Sequence, residues 1–215
     1  VKIADIGAML TRVPQSNLLQ SWEYASAIYQ LKGKKPHIGV ISWEGKEVGF
    51  FLFFEQRHLR LFRRISIERG PLWFSDKIAD AYVQAFFLWL NKNYPRRPWQ
   101  SRWILPELPA GAHYHSLLTQ AGWKKAGQSY QSIWLDISPD EAALRSGLKS
   151  GWRSALKQAE KASLTLERND DFKALPWLLE HYNVDKAIRN YKGPSVPLLV
   201  KLWKSHKDKN QLLLL

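Results

Sequence analysis

Five cations stand four residues apart between Leu144 and Glu167: Arg145, Lys149, Arg153, Lys157 and Lys161. On one helix such residues sit a turn above each other and drift by about 40° per step, so they form a slowly winding basic ridge. Leu144, Leu148, Trp152, Leu156 and Ala159 follow the companion three-and-four spacing, and Glu160 offsets the ridge from within. This pattern predicts a helix that packs one face and offers fixed positive charge on the next. Arg153, which follows Trp152, is the strongest single candidate, because a guanidinium grips phosphate in a two-pronged fork that lysine cannot make. Lys149 and Lys157, a turn to either side, would add point charge; the competing reading is that Arg153 is a solvated helix arginine and the two lysines are simply solvated.

A second candidate is Arg69-Gly70-Pro71, which follows a predicted strand and precedes a predicted helix. Gly70 permits close backbone approach, and the same Gly-Pro pair would also shape a plain turn. Lys32, Lys34 and Lys35 make a basic loop that would be solvated or face an anion. Trp99 and Trp103 lie among Arg96, Arg97 and Arg102, where a stacking surface for RNA competes with a proline-bounded turn. His113 and His115 are two apart, which on a helix sends them to different faces, and no metal-ligand pattern accompanies them. No Ser-His-Asp order, G-x-S-x-G turn or paired acidic motif points to covalent catalysis.

The elements that must position these groups belong to a folded protein, since 45% of the 215 residues are hydrophobic and 13% aromatic. The formal charge of +13 favours polyanionic partners: nucleic acid, phosphorylated substrates or an acidic membrane surface. Cysteine is absent, which excludes disulfides, thiolate metal sites and a cysteine nucleophile and makes the cytoplasm the default compartment. No apolar run is long enough for a membrane-spanning helix, while peripheral membrane contact stays open. The chain begins without Met and stops in the apolar run Gln211 to Leu215, which reads as a strand cut short and hence as a piece of a longer protein.

Asn17 predicts the N-cap of a helix from Leu18 to Leu31 that ends at Gly33. His37 to Trp43, Val48 to Glu55 and Leu59 to Ile67 predict an antiparallel meander with turns at Gly45 and at Gln56 to His58; the middle strand is apolar on both faces and therefore central. Ser75 predicts the cap of a helix over Asp76 to Asn93, followed by a strand at Arg102 to Leu105, a helix at His113 to Gln120 and a strand at Tyr130 to Ile137. Ser138-Pro139-Asp140-Glu141 predicts a capping box opening the basic helix, which Gly147 and Gly151 would break in two. A strand at Leu164 to Arg168, helices at Asp171 to Ala187 and Val196 to Ser205, and the terminal strand complete the order. A meander followed by strand and helix alternation is a mixed α+β pattern.

Three motifs carry a family resemblance. Trp152-Arg153-Ser154-Ala155-Leu156-Lys157-Gln158-Ala159-Glu160-Lys161 resembles the W-R-N-x-L-x-K-A-E run of the Fem family, the peptidoglycan interpeptide-bridge or lipid II aminoacyltransferases. Arg69-Gly70-Pro71 is similar to that family's R-G-P element, and Leu19-Gln20-Ser21-Trp22-Glu23 resembles its L-Q-S opening. Departures are Ser154 for the usual Asn, Ser163 for a common Gly, and Ala155 where one variant has Asn.

The resemblance implies an α+β, GNAT-like acyltransferase fold: a first domain over 1–137, a connecting basic helical segment over 138–162, and the beginning of a second GNAT-like domain over 163–215. It implies transfer of an amino acid or acyl group to the amino group of a peptidoglycan precursor peptide, with aminoacyl-tRNA as a possible donor and no bound cofactor. The implied partners are a phosphorylated, nucleotide- or lipid-linked muropeptide, tRNA, and the remaining C-terminal domain. On this reading Arg153, Lys149, Lys157, Trp152, Arg69 and Gly70 would bind substrate. Nothing fits the R/Q-x-x-G-x-G/A loop that holds the pyrophosphate of coenzyme A, which disfavours acetyl-CoA for this half. Two alternatives stand beside it: an N-acyltransferase using acyl-CoA or acyl carrier protein on an amino sugar or other amine, and a basic RNA-binding module.

Overall fold

A computed structural model of the chain describes residues 4–59, 61–127, 135–162 and 173–206. Contacts divide them into two units, one formed by described residues up to 126 together with those from 190, the other by those between 127 and 189. The first unit is built on a five-stranded mixed sheet. Strands β1 (Lys35–Trp43), β2 (Lys46–His58) and β3 (Phe62–Glu68) form the antiparallel meander, with Glu44 and Gly45 both at positive φ in the β1–β2 turn. The short strand β4 (Leu72–Trp73) returns to pair with Gly49 and Phe50 of β2. After helix α3 (Asp80–Asn93), strand β5 (Gln100–Leu105) pairs in parallel with β3.

The reason β2 carries Phe50-Phe51-Leu52-Phe53-Phe54 is that helices cover both faces of the sheet. On one face Phe51, Phe53, Ile65, Ile67 and Trp73 pack against Val83, Phe86, Phe87 and Leu90 of α3. On the other, Phe50 and Leu72 meet Ile6 and Met9 of α1 (Ala4–Thr11), while Leu52 and Phe54 meet Ala25 and Ile28 of α2 (Trp22–Lys32). Helix α8 (Val196–His206) adds Leu198 to that second face. The sequence assigns this helix to a second domain beginning at 163, so the observed units do not follow the boundaries at 137 and 162.

Local chemistry shifts several predicted ends. Leu18–Gln20 is a short 3-10 turn, and α2 starts at Trp22 because the Ser21 hydroxyl accepts from Tyr24 N–H; Asn17 makes no cap and serves elsewhere. Gln56 to His58, read as a turn, continues β2 opposite Arg64, Arg63 and Phe62. Helix α3 begins at Asp80, not Asp76, since Ser75 closes a local turn on Lys77 N–H. Helix α4 (Ala112–Gln120) ends beside Gly122 at positive φ, as its spacing predicts. The predicted strand at 130–137 lies outside the described residues up to 134, and those at 164–168 and 211–215 lie wholly outside.

The second unit contains α5 (Glu141–Gly147), α6 (Ser150–Lys161) and α7 (Leu175–Arg189). Asp140, not Ser138, is the cap: its carboxylate accepts from Ala143 N–H, so the helix starts two residues past Pro139. The break between α5 and α6 falls at Leu148 and Lys149, and Gly151 is accommodated within the first turn of α6.

Gly39 of β1 faces Phe51 across the ladder, and a methyl group there would overlap a ring already packed on Phe53, Phe86 and Trp89. Gly39→Ala is therefore expected to lower unfolding free energy by about 1–3 kcal/mol in a urea titration, the range for forced overpacking.

His37 stacks on Phe53 at 4.9 Å, with Glu55 at 3.9 Å and Arg63 nearby. Burial lowers its pKa, and the Glu55 attraction does not recover the loss against Lys35 and Arg63. Burial works to raise the Glu55 carboxyl, yet hydrogen bonds from Arg63 and Arg57 hold it below its usual value. A histidine lowered on folding contributes stability in full above its ordinary value of about 6.5, and the contribution drains away as pH falls through the folded value. Between pH 7 and 5 the melting temperature should fall more steeply in the wild type than in His37→Asn.

Candidate functional site

The carboxyl ends of the parallel strands β3 and β5 lie side by side, Glu68 opposite Leu105, where the chain leaves β3 for β4. Crevices at such strand ends are where mixed sheets gather ligands. Here β2 changes neighbour: residues from Phe54 onward pair with β3, while Gly49 and Phe50 pair with β4. The backbone of Leu52 would be left without a strand on that edge. The fully buried Gln20 side chain fills the gap. Its Oε1 accepts from Leu52 N–H at 2.7 Å, and its Nε2 donates to Leu52 O at 3.2 Å and to Glu68 O at 2.8 Å. One side-chain amide thus does the work of a missing peptide group.

The loop that makes the change is Arg69-Gly70-Pro71. Arg69 sits at φ +53°, its carbonyl accepts from Asn17 Nδ2 at 2.9 Å, and Gly70 N–H donates to Leu105 O at 3.2 Å. A Cβ on Gly70 would lie 2.7–2.8 Å from the Gln20 amide, so glycine is demanded by contact with Gln20. The Arg69 guanidinium is held in a two-pronged ion pair, Nε and Nη2 each 2.7 Å from the Glu107 carboxylate just past β5. Beside it the Glu68 carboxylate accepts from the Tyr24 hydroxyl at 2.8 Å and stands 3.7 Å from Lys34 Nζ. Burial first, and then the Glu68 charge, push the Tyr24 phenol well above its usual pKa.

Arg69 and Gly70 are therefore brought together, with the fork of Arg69 occupied by Glu107. Gln20, Tyr24, Glu68 and Glu107 carry no role in the sequence reading and Asn17 only that of a helix cap, although Gln20 sits in the quoted L-Q-S motif and Glu68 precedes Arg69.

In the second unit the basic ridge is not continuous. Because the helix breaks before α6, Arg145 lies on α5 and reaches Glu141 and Glu160, 2.6 Å from each. Arg153 Nη1 donates to Ser146 O and Leu148 O, both at 2.7 Å, and so satisfies carbonyls at the end of α5. Arg145, Arg153, Leu156, Lys157 and Glu160 line an open groove of about 540 Å³ between the two helices. Lys149 precedes the first turn of α6 and Trp152 is 70% exposed; neither lines that groove. The seam read from sequence as a packing face has no buried residue on α5 or α6.

Other sequence candidates take structural roles. Arg102 lies 4.3 Å over the Trp123 ring and donates to Asn91, while His113 joins α4 to Asp80 of α3. Among the described residues no cluster of three acidic or histidine side chains could hold a metal ion, and no helix is long and apolar enough to cross a membrane.

The Gln20–Gly70 contact predicts strong coupling. Gln20→Ala should cost about 3 kcal/mol through unpaired backbone groups and Gly70→Ala about 2 kcal/mol through overlap. The double variant should lose at least 1 kcal/mol less than the sum, since the methyl enters the space that Gln20 vacates. Additive losses in chemical unfolding would mean the two do not touch as described.

No family model matches the chain, and no curated protein matches it. Among solved structures it is similar to the crystal structure of FemX, with a TM-score of 0.69 and 18% identity. The match covers 97% of this chain and 54% of FemX, so the chain spans about half the length of that protein. At this identity the likeness establishes the fold: a mixed α+β architecture of the FemX kind.

Proposed function

We propose that the chain is part of a Fem-like aminoacyl or acyl transferase that acts on the amino group of a peptidoglycan precursor peptide. The observation that carries this reading is the fold likeness to FemX over nearly the whole chain. It is supported by the R-G-P element, here a hydrogen-bonded loop at the strand ends in which Gly70 and Pro71 are buried. In the proposed reaction the amine nitrogen attacks the carbonyl of an aminoacyl ester, the new amide forms, the ester C–O bond breaks, and the proton shed by the amine ends on the leaving hydroxyl. Such a transfer needs positioning and charge stabilisation but no side-chain nucleophile. Aminoacyl-tRNA is the proposed donor, a phosphorylated muropeptide the proposed acceptor, and the cytoplasm the proposed location. The groove beside Arg153 and Lys157 and the loop at Arg69 and Gly70 are the proposed contact regions, each within its own unit.

The test is a thermal-shift comparison on the full-length protein with nucleotide-linked muropeptide, acyl-CoA and tRNA. A ligand bound by the native state at 100 times its Kd adds about 2.7 kcal/mol of stability. The muropeptide is expected to raise Tm by several degrees and acyl-CoA to leave it unchanged. A rise with acyl-CoA alone would replace the reading by an acyl-CoA-dependent N-acyltransferase, and a rise with RNA alone by an RNA-binding module.

A further inference from the structure

The first unit contains a carboxylate whose hydrogen-bonding capacity is half used. Glu68 ends β3 beside Arg69, and its side chain is 17% exposed. Its Oε2 is occupied by the Tyr24 hydroxyl. Oε1 has no hydrogen-bond donor among the described residues; the ammonium of Lys34 stands off at 3.7 Å, itself 22% exposed. Glu107, the neighbouring acid, differs in kind, because both its oxygens are taken by the Arg69 fork. A sheltered carboxylate oxygen prefers a charged donor at hydrogen-bond distance, near 2.8 Å, to a cation held off at long range.

We propose that Glu68 anchors a primary ammonium of the incoming acceptor, and that Lys34 is the chain's own temporary occupant of that position. The substrate side of this rests on the amine-acceptor reading above. Lys34 shows that the place accepts an ammonium: its Nζ lies beside the carboxylate and 6.0 Å from the Phe54 ring. Lys34 is also well suited to yield. It sits in the link between α2 and β1, directly after Gly33 at φ +63°, and holds Glu68 without a hydrogen bond. The pair is held at 3.7 Å without a hydrogen bond, so a ligand ammonium that closes to hydrogen-bond distance would displace it. Tyr24 fixes the carboxylate from below, and the Gln20 bond to Glu68 O fixes the backbone that carries it. Loss of Lys34 should therefore open the site, and loss of the Glu68 charge should abolish it.

The experiment uses the full-length protein with Nα-acetyl-lysine amide as the ammonium probe and its Nε-acetylated form as control, followed by NMR titration. Lys34→Met is expected to bind the free-amine probe about tenfold more tightly than the wild type, and neither should bind the acetylated control. Glu68→Gln keeps an acceptor for the Tyr24 hydroxyl and should lose the probe while its melting temperature stays within a few degrees of the wild type. Equal probe binding by Lys34→Met and wild type, or probe binding by Glu68→Gln equal to the wild type's, overturns the proposal. The muropeptide separates this inference from the functional reading. If the probe follows the pattern but no muropeptide binds, the ammonium site stands and the substrate reading falls. If the muropeptide binds with the same affinity to wild type and Glu68→Gln, the substrate reading stands and the ammonium site falls. If Lys34→Met weakens muropeptide binding, Lys34 is a contact for the ligand's phosphate and the proposal is wrong.

Discussion

The geometry at the strand ends depends on one hydrogen-bonded amide. Strand β2 cannot keep a single neighbour along its length, because β3 leaves the sheet at Glu68 and β4 rejoins it at Leu72. A buried backbone N–H and C=O without partners would each cost on the order of 1–3 kcal/mol. The Gln20 amide answers both at Leu52 and reaches across to Glu68 O, so it ties the α2 side of the unit to the two strands that part company. The loop that bridges the parting has little freedom left. Gly70 must be glycine because the amide lies against it, and the Arg69 carbonyl is fixed by Asn17.

That constraint also decides which charges at the site are committed. With the backbone of residues 68–70 fixed, Arg69 is aimed at Glu107 and its fork closes on both oxygens. Glu68, one residue earlier, points to Tyr24 and Lys34 instead. Here the alternation of the strand end and the left-handed Arg69 send them to different partners. A two-pronged ion pair and a carboxylate with one oxygen lacking a hydrogen-bond donor among the described residues result, side by side.

Much of the scaffold was legible in the sequence. The meander, the central place of β2, α4, and the ends at Gly33 and Gly122 follow from periodicity and glycine, because they express local rules that the tertiary structure does not contradict. The helix starts were legible only in part. Asn17 is as good an N-cap as Ser21 by type, but Asn17 is drawn away by the Arg69 carbonyl, and sequence offers no measure of that competition. The site itself was legible as motifs without roles. Leu19-Gln20-Ser21 and Arg69-Gly70-Pro71 are 49 residues apart by the Gln20-to-Arg69 numbering, and they meet where the Gln20 amide bonds Leu52 of β2 and Glu68 of β3.

Net charge does not tell which cations already have partners within the fold. A five-cation ridge needs one unbroken helix, and the break at Leu148 and Lys149 converts two of its members into fasteners. Arg145, paired with Glu141 on its own helix, joins α5 to α6 through Glu160, and Arg153 spends a guanidinium nitrogen on the carbonyls that the break exposes. Those are the two residues whose planar forks suit phosphate best. Lys149 and Lys157 have no ion pair among the described residues, yet they are point charges without geometric preference. Within the groove beside Arg153, an anion must therefore either share the guanidinium with the end of α5 or settle for lysine alone. The first case links binding to the angle between two helices, and the second gives attraction with little selectivity.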